Sequence, residues 1–401
     1  MADSHSKIPI EIVSEEEMAL LDAALSAATA SLPSSPPPST PPAASLLFSP
    51  PSSSPPFHGS TKAARSVESI ARLCKRRLVM GCEEADIEDS GRFFSAQKRA
   101  RADTNESLLR RFRKKNGLAV SDIAATEWCE KQMEFVLQLG RSEKTRAMKA
   151  GSARHMKLEE EVVKKVKICV ESVEDDWAVM FVNFMVGANQ LLVEGLTREL
   201  PLIGFVEGVW MVGMIDEIRM PPLTETDRNP TLVETKTREK ATLPAEAQWR
   251  NGRFQLMCYK LLWDNIVAVE FPSKQFFNFF DLNPHYILSE EIRRSAAKSG
   301  FTAETLDDLV RCFREKCCTL PAAHNHLLLR YEFQDNNSLL CEDKFGYEPD
   351  WLKSQLKFCL EFWSGERAAM CAPEEERWKC RYCQFASICP TNTKRDNTTL
   401  S

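Results

Sequence analysis

The cysteines near the C-terminus place the strongest constraint on how this chain can fold. Cys380, Cys383 and Cys389 have the spacing C-x₂-C-x₅-C, which is typical of metal ligands. A four-ligand site needs one more thiolate, and the sequence has no second close C-x₂-C pair to supply it. Cys129, in the block EWCE at the start of the predicted folded region, is the best candidate. A group held by these four cysteines would tie the two ends of the domain together by closing a loop of about 250 residues.

The spacing alone leaves the role of these cysteines open between zinc, another metal group and unliganded core thiols. The charged neighbours Lys379 and Arg381 indicate a surface loop, which disfavours core thiols. The chain has 14 cysteines, but its N-terminus is acidic and unlike a signal peptide. We therefore expect reduced thiols in an intracellular compartment rather than a disulfide scaffold.

The N-terminal part of the chain has the composition of a disordered segment. Residues 31–57 contain ten Pro and nine Ser, and such a segment buries too little apolar surface to offset its ordering entropy. Basic residues then cluster between 98 and 115, which indicates a nuclear-import signal, a DNA-contacting arm or a solvated linker. We predict a disordered region at 1–116, a folded domain at 117–391 and a polar tail at 392–401. The basic clusters favour the nucleus, with the cytoplasm or an organelle as alternatives.

Apolar spacing predicts a mixed α/β fold for the folded domain. The predicted helices cover about 121–139, 142–170, 245–264, 289–318 and 351–363. The predicted strands lie between 190 and 220, at 232–237 and at 274–282. No stretch approaches the roughly 18 consecutive apolar residues that a membrane helix needs, so we expect no membrane span.

Two acids and a lysine form the candidate catalytic group. Glu234 and Lys236 are two apart on a predicted strand, so their side chains point to the same face. Asp216 ends the strand-like run GMIDEI, and an adjacent strand would bring it beside them. Carboxylates in this arrangement suit Mg²⁺ or Mn²⁺, and a lysine there stabilises charge on a phosphate. A surface salt bridge across a hairpin is the alternative reading.

Two helical patterns flank this group. Gly151, His155 and Glu159 lie at i, i+4 and i+8 of one predicted helix and share a face, so the histidine is a candidate metal ligand or the partner of a local acid. Gln255 and Tyr259 lie at i and i+4 of the helix that follows the Glu-x-Lys strand. Both side chains can donate hydrogen bonds towards a phosphate; alone, they would read as a half-buried helix face.

In this order, the Gly-x-x-x-His, Asp, Glu-x-Lys and Gln-x-x-x-Tyr patterns resemble the RecB-like branch of the PD-(D/E)xK nucleases. The resemblance implies a restriction-endonuclease-like core with flanking helices and metal-dependent phosphodiester cleavage. It implies His155, Asp216, Glu234 and the Thr235 carbonyl as metal ligands and Lys236 as the catalytic lysine. Gln255 and Tyr259 would be the motif that follows it.

Five sequence blocks resemble the eukaryotic exonuclease V family, also called the defects in morphology protein 1 family. The blocks are SDIAATEWCE, GMIDEI, ETKT, QLMCYK and FWSGERAAMCAPEEERWKCRYCQFASIC. The resemblance covers roughly residues 117–390 and implies a single-strand-specific DNA exonuclease with Mg²⁺-dependent chemistry, acting in genome maintenance. It also implies a [4Fe–4S] cluster on Cys129, Cys380, Cys383 and Cys389 in a C-terminal loop, with zinc as the alternative. Pro390 and Thr391 depart from the basic or aromatic residues that often follow the last cysteine in the family.

The expected substrate is single-stranded DNA threaded from a free end. A basic run from Arg141 to Lys157 is a candidate phosphate track, with Arg146, Lys149 and Arg154 as DNA-binding residues. We expect a monomer, and a single-strand-binding protein of the replication protein A type as a protein partner. Two alternatives are a non-catalytic iron–sulfur or zinc nucleic-acid-binding module on a nuclease fold and a regulatory iron–sulfur protein. The first would lack a metal ligand, and the second would not need Gln255 and Tyr259 beside the acids.

Overall fold

A mixed sheet with helices packed against it forms the centre of the protein. The computed structural model describes residues 76–80, 106–141, 143–222, 224, 227–268 and 271–393, all within the unit that spans Cys74–Ser401. The Pro/Ser-rich tract, the basic residues at 98–101 and the tail beyond Thr393 lie outside the described residues. The predicted mixed α/β class is confirmed.

The strands, in chain order, are β1 (Arg76–Met80), β2 (Leu118–Ala119), β3 (Lys164–Ile168), β4 (Leu196–Val206), β5 (Val209–Arg219), β6 (Thr231–Arg238), β7 (His326–Phe333) and β8 (Leu339–Gly346). The helices are α1 (Leu108–Arg113), α2 (Val120–Trp128), α3 (Glu130–Leu139), α4 (Arg146–Glu160), α5 (Val173–Glu194), α6 (Glu246–Ala268), α7 (Ser273–Phe280), α8 (Glu290–Lys298), α9 (Leu306–Cys317), α10 (Pro349–Ser364) and α11 (Pro390–Thr393), with a 3₁₀ helix at Glu374–Tyr382.

The main sheet has six strands. Strand β5 pairs antiparallel with β4 along its whole length, parallel with β2 and antiparallel with β6. Strand β6 then pairs parallel with β7, and β7 pairs antiparallel with β8. Residues Leu200 to Gly204 of β4 are all buried, which is the pattern of a strand covered on both faces. Helices α5 and α6 both pack against β4.

The β4–β5 hairpin has a register that its turn fixes. Glu207 and Gly208 both have positive φ, 48° and 81°, as a two-residue type I′ turn requires. Counting back from the pair Val206 and Val209, the ladder brings Arg198 opposite Glu217 and Leu200 opposite Ile215. Glu199 therefore lies opposite Asp216.

The predicted strand at 274–282 is wrong, because these residues form helix α7. Phe276, Phe277 and Phe280 are buried at i, i+1 and i+4, which is one face of a helix. The rings of Phe276 and Phe280 lie 5.1 and 4.5 Å from the ring of Trp177. Four phenylalanines in a short apolar run fit a strand or a buried helix equally well, and the aromatic cluster decides for the helix.

Three predicted helices are interrupted. The helix expected at 142–170 ends at Glu160, and its last part forms strand β3 instead, where Lys and β-branched residues alternate. The helix expected at 289–318 is divided into α8 and α9, and Thr305 begins α9 by accepting the Asp308 N–H at its hydroxyl. The helix expected at 121–139 is broken at Cys129, whose backbone is extended. The helices predicted at 245–264 and 351–363 are confirmed as α6 and α10.

Two described elements lie N-terminal to the predicted domain start at 117, within the region for which we predict disorder. Strand β1 pairs parallel with β3, and its Leu78 is 4% exposed. Helix α1 is joined to helix α2 through Arg113, whose guanidinium donates to both carboxylate oxygens of Asp122, at 2.6 and 2.8 Å. The sequence analysis did not predict strand β1 or helix α1, because such short elements within a polar segment show little apolar periodicity.

One helix in the described part of the chain, α5, is long and apolar enough to cross a membrane by composition. Within its apolar window, 83% is buried inside the protein. Helix α9, strand β4 and strand β1 pack against it, so its apolar surface already has partners. The absence of a membrane span stays a prediction.

The N-terminal elements give a first testable prediction. A chain that begins at Cys74 should keep the melting temperature of the full chain, whereas one that begins at Leu118 should melt lower, because it loses the buried Leu78 side chain and the Arg113–Asp122 ion pair. Leu78 alone contributes about 2 kcal/mol, which corresponds to roughly 3 °C in a domain of this size. Differential scanning calorimetry of the two truncations measures the difference, and equal melting temperatures would contradict it.

Candidate active site

Three side chains that can bind a metal meet on the β4–β5 hairpin and helix α4. The ligand atoms of His155, Glu199 and Asp216 all lie within 4.8 Å of one another. His155 Nδ1 is 3.2 Å from Glu199 Oε1 and 3.4 Å from Asp216 Oδ1. Asp216 is 5% exposed, so water competes poorly for this position. One imidazole nitrogen and two carboxylates form a donor set suited to a hard divalent cation.

Helix α4 presents His155 to the hairpin because a glycine lets it approach the sheet closely. A β-carbon at Gly151 would lie 3.1 Å from the Thr237 hydroxyl of β6, tighter than most such contacts. Thr145 caps the helix start by accepting the Met148 N–H at its hydroxyl. The Gly-x-x-x-His pattern therefore has a packing reason for its glycine and a chemical one for its histidine.

Asp216 lies where strands β5 and β6 stop pairing. The last paired residues on this side are Glu217 and Val233. Beyond them the Thr235 N–H donates to Asp216 Oδ2 at 2.7 Å rather than to the backbone of β5. The other oxygen, Oδ1, is buried and accepts no hydrogen bond among the described residues, and it is the one nearest His155.

A chain of hydrogen bonds positions the predicted catalytic lysine. Lys236 Nζ donates to Glu234 Oε1 at 2.6 Å and to Gln255 Oε1 at 2.8 Å. The Gln255 amide in turn donates to the Tyr259 hydroxyl at 3.3 Å, which fixes its oxygen towards the lysine. Gly213 on β5 makes room for the Tyr259 ring, since a β-carbon there would lie 2.6 Å from a ring carbon. All four predicted residues therefore belong to one network.

The charges of the site are mutually dependent. The Asp216 carboxylate raises the pKa of His155 well above its ordinary value, with a contribution from Glu199, while burial opposes the shift. Burial raises the pKa of Asp216, but His155, Lys236 and the Thr235 N–H together hold that pKa below its usual value. Without a cation, His155 and Asp216 therefore form an ion pair, and a metal that binds here must displace the imidazole proton.

The predicted metal set differs from the observed cluster in two respects. Glu199 belongs to the cluster, although sequence reasoning missed it. Glu234 lies outside the group of mutually close ligand atoms in the described residues, and its Oε1 accepts from Lys236. The sequence feature that would have identified Glu199 is the Glu207–Gly208 turn, which the sequence analysis did not recognise. Counting back from this turn along the paired strands brings residue 199 opposite Asp216.

The three predicted DNA-binding residues lie on helix α4. Arg146 and Lys149 are exposed near its start. Arg154 is instead held by Glu332 of β7, with its Nε 2.7 Å from Oε2 and its Nη2 3.3 Å from Oε1. The aromatic residues Trp177, Trp210 and Phe254 are 2% exposed or less and belong to the core, so their rings do not form a base-stacking surface.

The predicted cluster ligands meet in a second place. The four cysteines line one cavity together with Cys371, which the sequence analysis did not assign. Other residues lining it include Gln132, Phe135, Ala372 and Ala386. Burial, and to a smaller extent the nearby Cys389, raises the pKa of Cys371 to about 11. Thiolate donors around one cavity suit an iron–sulfur group or zinc, and binding either must displace protons.

The C-terminal segment is anchored to the helix break that carries Cys129. Lys379 is 4% exposed, donates to the Trp128 carbonyl at 3.1 Å and lies 4.0 Å above the Trp128 ring. Arg367 donates two hydrogen bonds to the buried Glu130 carboxylate. Arg250 of helix α6 joins the segment to the core through Glu376, whose pKa its guanidinium lowers to about 2. These contacts bring the lone cysteine to the clustered three.

Comparison with known proteins agrees with this geometry. The family model for exonuclease V, described as a 5′ deoxyribonuclease, matches residues 107–228, 220–310 and 291–390. The chain belongs to the exonuclease V family. It is accordingly a DNA exonuclease, and the family description gives it 5′ polarity.

A zebrafish (Danio rerio) relative named exonuclease V is 27% identical over 349 residues, covering 85% of this chain and 87% of the relative. A crystal structure described as that of SSO0001 is similar to this chain with 13% identity and a TM-score of 0.29, covering 69% of this chain and 86% of that one. A structural likeness of that size carries no argument. Because the chain belongs to a family of exonucleases, the two non-catalytic alternatives, a nucleic-acid-binding module and a regulatory iron–sulfur protein, are disfavoured.

Proposed function

We propose that this exonuclease is metal-dependent and uses Mg²⁺, with Mn²⁺ as a substitute, at the cluster of His155, Glu199 and Asp216. The observation that carries the proposal is this donor set, whose ligand atoms lie within 4.8 Å of one another around the buried Asp216, beside a lysine held in place by two partners. Glu234 and the Thr235 carbonyl, which the family resemblance implies as ligands, adjoin it. A divalent cation supplies charge neutralisation and Lewis-acid polarisation of a phosphodiester.

The protein's own residues do the positioning. The Lys236 side chain is 32% exposed, so its ammonium reaches the solvent side of the site, where a scissile phosphate would lie. There it stabilises the negative charge that develops on the phosphoryl oxygens during attack by water. Gln255 and Tyr259 hold the ammonium in one orientation, so little reorganisation is needed at the moment of reaction.

The proposed substrate is single-stranded DNA with a free end, in DNA repair and genome maintenance. Arg146 and Lys149 on the exposed start of helix α4 support it, because they lie on the same helix as His155 and suit a phosphate track. We further propose a nuclear location, a monomer, and a single-strand-binding protein of the replication protein A type as a partner. The basic sequence at 98–115 and the family resemblance support these proposals.

For the cysteine cavity we propose a [4Fe–4S] cluster held by Cys129, Cys380, Cys383 and Cys389. Thiols from both ends of the domain around one cavity support it. Such a cluster would fix the C-terminal segment to the break between α2 and α3, next to helix α6, which carries Gln255 and Tyr259. Zinc is the competing occupant and is distinguished by analysis for iron and sulfide.

The substrate proposal predicts a clear order among three forms of one DNA sequence. With Mg²⁺ added, the linear single strand should be degraded, whereas a covalently closed circle and a blunt duplex should be cut slowly, because both lack a single-stranded end. Withholding Mg²⁺ should stop all cleavage. End-labelled strands resolved on a gel measure the products, and rapid cutting of the circle would mean an endonuclease.

Charge reversal tests the phosphate track. The variant R146E/K149E should bind single strands more weakly. A plot of log affinity against log salt concentration should become less steep by roughly 1 to 1.5, because binding with two fewer phosphate contacts releases fewer counterions. The single-turnover rate at saturating DNA should change little. The matched control is K353E/K357E, two exposed lysines of helix α10. An equal effect in both variants would locate the track elsewhere.

A further inference from the structure

Arg77 is a buried arginine that the sequence patterns did not single out. It lies on strand β1, outside the residues 107–390 that the family model matches. The residue is only 4% exposed, and its Nη1 donates to Glu159 Oε1 at 3.2 Å and to the Glu199 carbonyl. One guanidinium nitrogen therefore joins helix α4 to strand β4.

These two partners belong to the elements that carry the metal cluster. Glu159 lies one helical turn after His155 on the same face of α4. Glu199 is itself a cluster residue, and its φ of 46° is in the left-handed region that a side chain rarely adopts. The hydrogen bond to its carbonyl therefore holds a strained residue in the conformation that turns its carboxylate towards Asp216.

Strand β1 is fixed so that Arg77 has little freedom. The Leu78 N–H donates to the Asn183 side-chain oxygen at 2.8 Å, and the Asn183 amide donates to the Leu78 carbonyl at 2.9 Å. Pairing with β3 holds the other edge of the strand. On the far side of the guanidinium, Nη2 lies 3.3 Å from where a β-carbon of Gly187 would be.

Burial of this cation is costly, which argues against a purely packing role. Two of its nitrogens, Nε and Nη2, are buried without a hydrogen-bond partner among the described residues. Apolar residues of similar volume usually fill such a position at no loss of stability. An arginine here supplies what they do not, a bridge between the His155 helix and the Glu199 backbone.

We propose that Arg77 is a positioning residue of the nuclease site, setting the spacing of His155 and Glu199 for the cation. The proposal rests on the metal site proposed above. It makes the residues around β1 part of the catalytic domain, although they precede the family match.

The test measures binding of Mn²⁺ alone to the full chain, by electron paramagnetic resonance of the free ion. In the variant Arg77→Met, affinity should fall by about tenfold or more, as is usual when a residue that supports a ligand is lost. Arg77→Lys should recover part of the loss, because an ammonium keeps the charge but not the fork geometry. Arg76→Met, at the exposed neighbouring position, is the control and should bind as the wild type does.

The outcomes separate the two proposals. If Asp216→Asn leaves the Mn²⁺ affinity of the full chain unchanged, the metal site itself is misplaced. If that variant loses binding but a folded Arg77→Met protein binds Mn²⁺ as the wild type does, only the role of Arg77 is overturned. Should Arg77→Met not fold, as judged by circular dichroism, Glu159→Met decides, because it removes the oxygen that accepts from Arg77: weaker Mn²⁺ binding supports the bridge, and unchanged binding refutes it.

Discussion

Replacing Asp216 by Asn should lower the rate of single-strand cleavage by about 10³-fold or more while DNA binding is retained. The change keeps the shape of the side chain and removes its charge from a position where Oδ1 faces His155 and Oδ2 accepts the Thr235 N–H. Losing a metal ligand removes several kcal/mol of transition-state stabilisation, and each 1.36 kcal/mol is a factor of ten.

The companion variant Lys236→Met should lower kcat with little effect on KM, because the ammonium acts on charge that develops only in the transition state. Glu160→Gln is the matched control, since Glu160 is exposed on helix α4 one residue beyond Glu159. Single-turnover rates on an end-labelled strand with Mg²⁺ measure all three. An Asp216→Asn protein of normal activity would move the catalytic centre elsewhere.

Removal of any one predicted cluster ligand should have the second large effect. Protein purified without oxygen should be brown, and Cys380→Ala should bleach it, with iron and sulfide falling to background and a clear loss of thermal stability. Stability falls because the cavity then no longer links the α2–α3 break to the C-terminal segment, a link that closes a loop of about 250 residues.

Cys371→Ala is the matched control for this prediction, because Cys371 lines the same cavity but was not predicted as a ligand. It should keep its iron and its colour. A bleached Cys371→Ala protein together with an iron-loaded Cys389→Ala protein would mean that Cys371 is the fourth ligand. Stoichiometric zinc without iron or sulfide in the wild type would refute the cluster outright.

Much of the site was predictable because its interacting residues lie in pairs that are two or four positions apart in the sequence. Alternation places Glu234 and Lys236 on one face, and helical spacing places Gln255 one turn from Tyr259. The structure joins these four through hydrogen bonds. The mixed α/β class followed from the same periodicities.

The residues that escaped prediction depend on contacts between distant segments. Glu199 reaches the site only through the register of a hairpin whose turn was not recognised. Arg77 reaches it through a five-residue strand that pairs with β3, 88 positions further along the chain in the register of Arg76 and Lys164. Helix α7 was misread because the packing of Phe276 and Phe280 around Trp177, and not their local spacing alone, determines its conformation.

The contact between the Cys129 helix break and the C-terminal segment has a consequence for synthesis on the ribosome. Glu130 is buried by Arg367, 237 residues later. At 5–20 residues per second, that partner is made roughly 10 to 50 s after Glu130. During this interval helices α2 and α3 expose a carboxylate and a thiol that the finished protein covers. The nascent chain therefore leaves this surface uncovered for a defined interval, and the docking of the C-terminal segment awaits the final residues of the domain.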